Sequence, residues 1–242
     1  MQEESFYNNE KKWLLFNYGL ADSEKILAEE ENLALEVGEG RVPPLLEVWV
    51  ASRKCFVLGK NYARKLGKLG KMEKIKEYGI PVVLRSSGGE AILHDSSCLN
   101  FTVVVPQKLF PDLTRIDKSF EILSSGIMYS LKEIGIPVYF GKVKTFCPGP
   151  YDILVKKRKI AGLSLLMKKE FSLLHGTLFV NTGTDYTKEL EIFYGPLKNE
   201  IISLRILMNK FIKMEDIAKS LIRGYEISFG ISFSSFSFQQ KS

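Results

Sequence analysis

The feature that most limits how this chain can fold is the pairing of its short apolar segments. Segments 46–50 and 55–58 have a Ser52-Arg53-Lys54 turn between them, 82–84 and 91–93 are joined by a glycine-containing loop, and 152–155 and 159–164 by a basic turn. Each reads as a strand, and further strands are expected at 99–105, 138–140 and 173–180. Strands that come in adjacent pairs do not follow the strict βαβ alternation of a doubly wound parallel sheet. The expected class is therefore α/β (α+β), with a mixed, largely antiparallel sheet and helices packed against it.

Helical periodicity is found in fewer places. Residues 22–37 carry Ile26, Leu27, Leu33, Ala34 and Val37 on one face, and Gly38 suits the exit. Pro43 and Pro44 then break the chain. Residues 117–135 place Phe120, Leu123, Ile127, Leu131 and Ile134 on a buried side, and 214–225 read as a last helix. Segment 64–78 is basic and amphipathic, with a stripe of Leu66, Leu69, Met72 and Ile75. Gly67 and Gly70 weaken it, each by about 1 kcal/mol relative to alanine. No repeat or long linker interrupts the 242 residues, so a single domain over 1–242 is expected. The alternating serine and phenylalanine of 230–242 read as a short edge strand that frays.

Several classes are excluded by what the sequence lacks. No uninterrupted apolar run reaches the roughly 18 residues of a membrane span. Met1-Gln2-Glu3-Glu4 opens no apolar signal core, so export is not expected. Cys55, Cys98 and Cys147 are odd in number and widely spaced, which fits reduced thiols in the cytoplasm better than a disulfide framework. No His, Cys and carboxylate set has metal-ligand spacing. The net charge is +6. Lys60, Arg64, Lys65, Lys68, Lys71, Lys74 and Lys76 stand against the single acid Glu73. A spacing of three between Lys65, Lys68, Lys71 and Lys74 groups them on one helix face, either plainly solvated or facing an acidic partner. No aromatics interleave with them, so nucleic acid is not the expected partner.

Three segments could carry chemistry. In Arg85-Ser86-Ser87-Gly88-Gly89-Glu90, followed by Ala91-Ile92-Leu93-His94-Asp95, adjacent glycines let a ligand approach the main chain. Arg85 could pair with a carboxylate or phosphate, and His94 and Asp95 could shape the same pocket. The same residues also fit a tight hairpin with a solvated arginine. In Cys147-Pro148-Gly149-Pro150-Tyr151-Asp152, a cysteine opens a rigid loop, where nucleophiles are commonly presented. Lys159 follows in Lys159-Ile160-Ala161-Gly162, and a lysine near a thiol favours the thiolate. Alternatively, Cys147 is a small buried hydrophobe and Lys159 a solvated member of a charge run. In His175-Gly176-Thr177-Leu178, a lone histidine in an apolar run is more often a satisfied core residue than a catalyst. Cys55 and Cys98 lie in strand patterns and read as packing residues.

Taken together and in this order, these segments resemble the lipoate–protein ligase, octanoyltransferase and biotin–protein ligase superfamily. The resemblance runs from about residue 12 to residue 228. It rests on Arg85 to Asp95 with Leu99-Asn100-Phe101, on Lys159 to Gly162, and on His175 to Leu178. It implies a mixed α/β catalytic domain with an acyl tunnel beside the lysine. It also implies as partners the lipoyl domains of 2-oxoacid dehydrogenase complexes and the glycine-cleavage H protein. Cys147 to Asp152 looks like the active-site loop of the cysteine-dependent octanoyl amidotransferases. Glu90 stands where ligases commonly have a third glycine, and the chain's end at residue 242 leaves no room for the accessory C-terminal domain of many ligases. Two features look otherwise: His175 to Leu178 is ligase-like, and Leu163-Ser164-Leu165-Leu166-Met167 replaces a usual Gln-Arg pair.

The resemblance implies transfer of an octanoyl or lipoyl group to a carrier lysine through a Cys147 thioester, without a cofactor. Lys159 would stabilise the thiolate or carbonyl and shuttle a proton. Arg85, Ser87, Gly88, Gly89, His94, Asp95, Asp152, Gly162, His175 and Gly176 would form the substrate site. Burying roughly seven alkyl carbons, at about 0.8 kcal/mol each, offers on the order of 5 kcal/mol of binding before entropic costs. Two alternatives stay open. An ATP- and Mg2+-dependent lipoate ligase would hold an acyl-adenylate with Arg85 and Lys159. A non-catalytic relative would only bind an acylated carrier.

Overall fold

A computed structural model describes residues 12–197 and 199–235. The strands are β1 (Lys12–Ala21), β2 (Leu45–Ala51), β3 (Cys55–Gly59), β4 (Val82–Arg85), β5 (Ala91–His94), β6 (Cys98–Pro106), β7 (Tyr139–Gly141), β8 (Asp152–Val155), β9 (Arg158–Met167), β10 (Phe171–Phe179) and β11 (Ser232–Ser235). Eight of them form one sheet in the order β11-β1-β2-β6-β10-β9-β8-β7, and β4-β3-β5 form a second. The pairs β1–β11, β1–β2 and β3–β4 are parallel, and every other pair is antiparallel. The mixed, largely antiparallel class expected from the strand pairing is the class observed.

The helices are α1 (Ser23–Gly38), α2 (Lys60–Lys68), α3 (Met72–Glu77), α4 (Ile116–Leu123), α5 (Ser125–Glu133), α6 (Thr184–Tyr194), α7 (Leu204–Met208) and α8 (Met214–Phe229). The Asp22 side chain caps α1 by accepting from the Glu24 N–H at 2.9 Å. The helix buries Ile26, Leu27, Ala34 and Val37, as its periodicity indicates, but also Ser23 and Glu30. No helix among the described residues is long and apolar enough to cross a membrane.

Two expected helices are each divided. Segment 64–78 is α2 and α3, because Gly70 turns the chain at φ +64°. Its apolar stripe is therefore discontinuous: Leu66 and Ile75 are buried, but Leu69 is exposed. Lys65 and Lys68 lie on α2, Lys74 lies on α3, and Lys71 stands at the junction, so no single helix face holds all four. Segment 117–135 is divided between α4 and α5 at Ser124, whose hydroxyl donates to the Phe120 carbonyl at 2.6 Å. Such back-bonding bends helices. The first part of the 230–242 tail is β11, paired in parallel with β1, and 236–242 lie outside the described residues.

What the fold does for function is set by β9 and β10 at the middle of the large sheet. Their register places Ser164 beside His175 and Gly162 beside Thr177. On the other side of β10, Thr102 and Asn100 of β6 pair with His175 and Thr177. The small sheet brings the β4–β5 loop over this face, and the β7–β8 loop approaches it from the side.

Candidate active site

Cys147 lies in the loop between β7 and β8, half-buried, with φ +40°. A non-glycine residue there is strained by roughly 1–3 kcal/mol and persists only where its surroundings hold it. Lys159, only 1% exposed, supplies that hold. Its ammonium donates to the Phe146 carbonyl at 2.7 Å and the Cys147 carbonyl at 2.9 Å, and pairs with Asp152 Oδ2 at 2.8 Å. Three N–H groups thus meet three acceptors. Asp152 Oδ2 also accepts from the Gly149 N–H at 3.1 Å. Burial pushes the Asp152 carboxyl above its ordinary range, against the pull of Lys159. Before the cysteine, the Glu200 carboxylate accepts from the N–H groups of Thr145 and Phe146.

The other wall is the β4–β5 loop. Arg85 is buried, and its guanidinium donates to the carbonyls of Gly88 (3.0 and 2.8 Å), Val57 (3.1 Å) and Glu90 (3.1 Å). It is therefore neither a solvated hairpin residue nor a cation presented freely to an anion; it folds the loop around itself. Gly89 has φ +86°, and a Cβ there would stand 2.6 Å from Arg85 Nη2 and 3.7 Å from Cys147 Sγ, so only glycine fits. The folded loop points the Glu90 N–H at Cys147 Sγ, 3.2 Å away. Burial raises the other two thiols, Cys55 to about 11 and Cys98 well beyond its ordinary value. Only Cys147 combines access with a donor.

Behind the thiol, His94 lies in a chain of hydrogen bonds. Trp49 Nε1 donates to Ser23 Oγ at 3.0 Å, which contacts His94 Nδ1 at 3.1 Å. His94 Nε2 meets Thr177 Oγ1 at 3.3 Å, and Thr177 donates to Asn100 Oδ1 at 3.0 Å. Burial, then the charges of Arg85 and His175, lowers His94 to about 3, so its ring is neutral. His175 Nδ1 lies 2.5 Å from Ser87 Oγ, and its Nε2 contacts the buried Glu30 carboxylate.

These walls enclose a cavity of about 40 Å³. Of the expected site residues, Arg85, His94, Cys147, Asp152, Lys159, Gly162, His175 and Gly176 line it. Ser87, Gly88 and Gly89 form the loop behind that lining. Asp95 does not reach the cavity; it closes the β5–β6 turn by accepting from Ser97 N–H and Oγ–H. Gly176 serves packing first, since a Cβ there would lie 2.0 Å from the Phe101 ring, whereas one on Gly162 would meet only Ile92, at 3.6 Å.

Ile92, Phe146, Leu163, Ser164 and Thr177 also line the cavity without having been singled out from sequence. Strand alternation from Gly162 and His175 would have found Ser164 and Thr177. Glu30 had no signal, standing in the acidic run Glu29-Glu30-Glu31. Among the described residues no group of three or more His, Cys, Asp or Glu could hold a metal ion.

The model of the lipoyl protein ligase A/B catalytic domain matches residues 22–226. Octanoyltransferase LipM of Staphylococcus aureus (strain NCTC 8325 / PS 47) is 26% identical over 226 residues, covering 85% of this chain and 79% of that protein. Octanoyltransferase LipM of Bacillus subtilis (strain 168) is 23% identical over 257 residues, covering 95% and 90%. Among solved structures, lipoate-protein ligase A bound with ATP superposes with a TM-score of 0.73 at 22% identity, covering 94% of this chain and 89% of that one. The bipartite lipoate protein ligase of Thermoplasma acidophilum, studied with its E2 lipoyl domain, gives 0.66 at 20% identity, covering 94% and 88%. At such identities the structural likeness establishes the fold.

Proposed function

The chain belongs to the lipoyl protein ligase A/B catalytic-domain family, and from that premise we propose that it is an octanoyltransferase working through a Cys147 thioester. The observation that carries this reading is the setting of Cys147 Sγ. It borders the cavity, receives the Glu90 N–H at 3.2 Å, and stands on a loop whose carbonyls are held by Lys159. The LipM relatives share the proposed activity by name.

In the first half-reaction Cys147 Sγ attacks the carbonyl carbon of an acylated donor. The bond from that carbon to the donor's leaving atom breaks, the leaving atom takes up a proton, and the acyl group remains as a thioester. In the second, the amine of an acceptor lysine attacks the thioester carbonyl and sulfur leaves. Lys159 holds the strained cysteine in place and brings positive charge to the thiol's side of the cavity. Asp152 keeps that ammonium oriented. Ile92 and Leu163 face the alkyl chain, for which Gly162 leaves room. The carriers are lipoyl domains of 2-oxoacid dehydrogenase complexes or the glycine-cleavage H protein. The cytoplasmic location belongs to the same proposal and rests on three unpaired cysteines.

The residues present do not suit an acyl-adenylate. The two cations a ligase would turn toward it are already engaged: Arg85 on carbonyls of its own loop, Lys159 on two carbonyls and Asp152. No step is therefore routed through ATP. The test is a transfer assay with an octanoylated donor domain and an unmodified lipoyl domain. The acceptor should gain one octanoyl group without nucleotide. Acceptor modification only from free octanoate with ATP and Mg2+ would reverse the assignment to a ligase.

A further inference from the structure

The Cys147 loop is gripped at two points, and Lys159 accounts for only one of them. The carbonyl of Phe146, the residue before the nucleophile, is bound by the Lys159 ammonium at 2.7 Å. The N–H of the same residue donates to Glu200 Oε2 at 2.9 Å. The Glu200 carboxylate also accepts from the Thr145 N–H, at 3.0 Å on Oε1 and 2.9 Å on Oε2. Resting on the thioester reading above, we propose that Glu200 is a positioning residue for acyl transfer, setting where Cys147 Sγ stands relative to Lys159 and the cavity.

Glu200 is tied to the lysine as firmly as to the loop. Its carbonyl accepts from the Lys159 N–H at 2.7 Å, and the Ile202 N–H donates to the Lys159 carbonyl at 2.9 Å. Ile201 between them is the parallel bridge partner of Lys159. The neighbouring Arg158 adds a bond from Nη2 to the Ile201 carbonyl at 2.5 Å. One short segment therefore fixes the main chain of Lys159 with its own backbone, and the main chain ahead of Cys147 with a side chain. Against the effect of burial, the N–H groups of Phe146 and Thr145 hold the Glu200 carboxyl below its ordinary range, so it is ionised at neutral pH. Bonds from N–H groups to a carboxylate are stronger than those to a neutral acceptor.

Cys147 needs such a hold because its φ of +40° is strained and persists only where the surroundings impose it. A displacement of about 1 Å at a reacting group can cost on the order of a hundredfold in rate. Glu200 does not line the cavity, so it acts on the sulfur through Phe146 and not on the acyl group. It is half-buried, unlike Lys159 and Asp152. Water can therefore reach the two N–H groups once the carboxylate is gone. The buried Lys159–Asp152 pair stays in place, so the loop loosens while the fold remains.

Glu200→Ala and Glu200→Gln are compared with wild type in three measurements. These are acylation of Cys147 by an octanoylated donor domain, alkylation of Cys147 by iodoacetamide, and thermal unfolding. Glutamine keeps one acceptor oxygen, and Oε2 alone already serves both N–H groups. In Glu200→Ala the maximal acylation rate should fall at least about tenfold, with KM for the donor and the alkylation rate unchanged within about threefold. Its Tm should stay within about 5 °C of wild type. Glu200→Gln should keep acylation within about threefold of wild type. A wild-type acylation rate in Glu200→Ala would overturn the assignment. So would a loss confined to KM, which would put Glu200 in contact with the carrier. Parallel losses of acylation, alkylation and Tm would reduce Glu200 to a structural residue, and a loss in Glu200→Gln equal to that in alanine would make charge, not hydrogen bonding, the cause; either overturns the assignment. All of these outcomes leave the transferase reading standing, whereas a wild type that forms no Cys147 thioester ends that reading and this assignment with it.

Discussion

Replacing Lys159 by alanine should destabilise the protein as well as silence it. The ammonium is 1% exposed and its partner Asp152 4%. Alanine leaves a buried carboxylate without its cation and two carbonyls without the Lys159 donor. Removing one partner of a buried pair costs about 3–5 kcal/mol. In a chain of this length each kcal/mol moves Tm by about 2–4 °C, so Tm should fall by roughly 6–20 °C. The Cys147 loop, strained at φ +40°, should relax at the same time, and turnover should fall far beyond the tenfold that about 1.4 kcal/mol of barrier represents. The informative companion is Lys159→Met with Asp152→Leu, which removes both charges and restores apolar packing. Thermal unfolding should show that the double variant regains most of the lost Tm, while intact-mass measurement shows no thioester. A wild-type Tm for Lys159→Ala would refute the buried pair. More than a tenth of wild-type activity in the single variant would refute the catalytic role.

Two other outcomes follow from surface and core charge. Lys68 and Lys71 are exposed at the end of α2 and the start of α3. Changing both to glutamate should raise KM for a carrier protein and flatten its salt dependence, with little effect on a short lysine peptide, as expected of steering screened over about 8–10 Å; equal losses on both would mean structural damage. Glu47 has its pKa raised from 4.5 to about 8, chiefly by burial. The folded state therefore holds a proton that the unfolded chain loses above about pH 4.5, so this stability is full below that pH and is lost as pH rises through 8. Glu47→Gln should remove the decline, and melts at pH 5 and pH 9 compare the two proteins; an unchanged alkaline loss would show that Glu47 is not its source.

Much of the sheet was legible because paired strands with short turns leave few alternatives, and α1 because its apolar period was regular. β1 was not, since Lys12–Ala21 lacks clean alternation and its parallel partners, β2 and β11, are set by tertiary contacts. The helix breaks at Gly70 and Ser124 depend on a positive φ and a hydroxyl back-bond that periodicity does not register. Within the site, the loop glycines, Cys147 and Lys159 carried readable patterns. The bonds that Arg85 makes to carbonyls around its own loop did not, because carbonyl positions are a property of the folded loop. Glu30 was invisible for the same reason: one glutamate of three becomes buried only when α1 docks beside His175.

The central claim is that Cys147 carries the acyl group, and intact-mass analysis after incubation with an octanoylated donor tests it most directly. The chain should gain one octanoyl group that hydroxylamine releases. Cys55→Ala and Cys98→Ala should gain it as well, and Cys147→Ala should not. An octanoyl adduct that persists in Cys147→Ala would contradict the account.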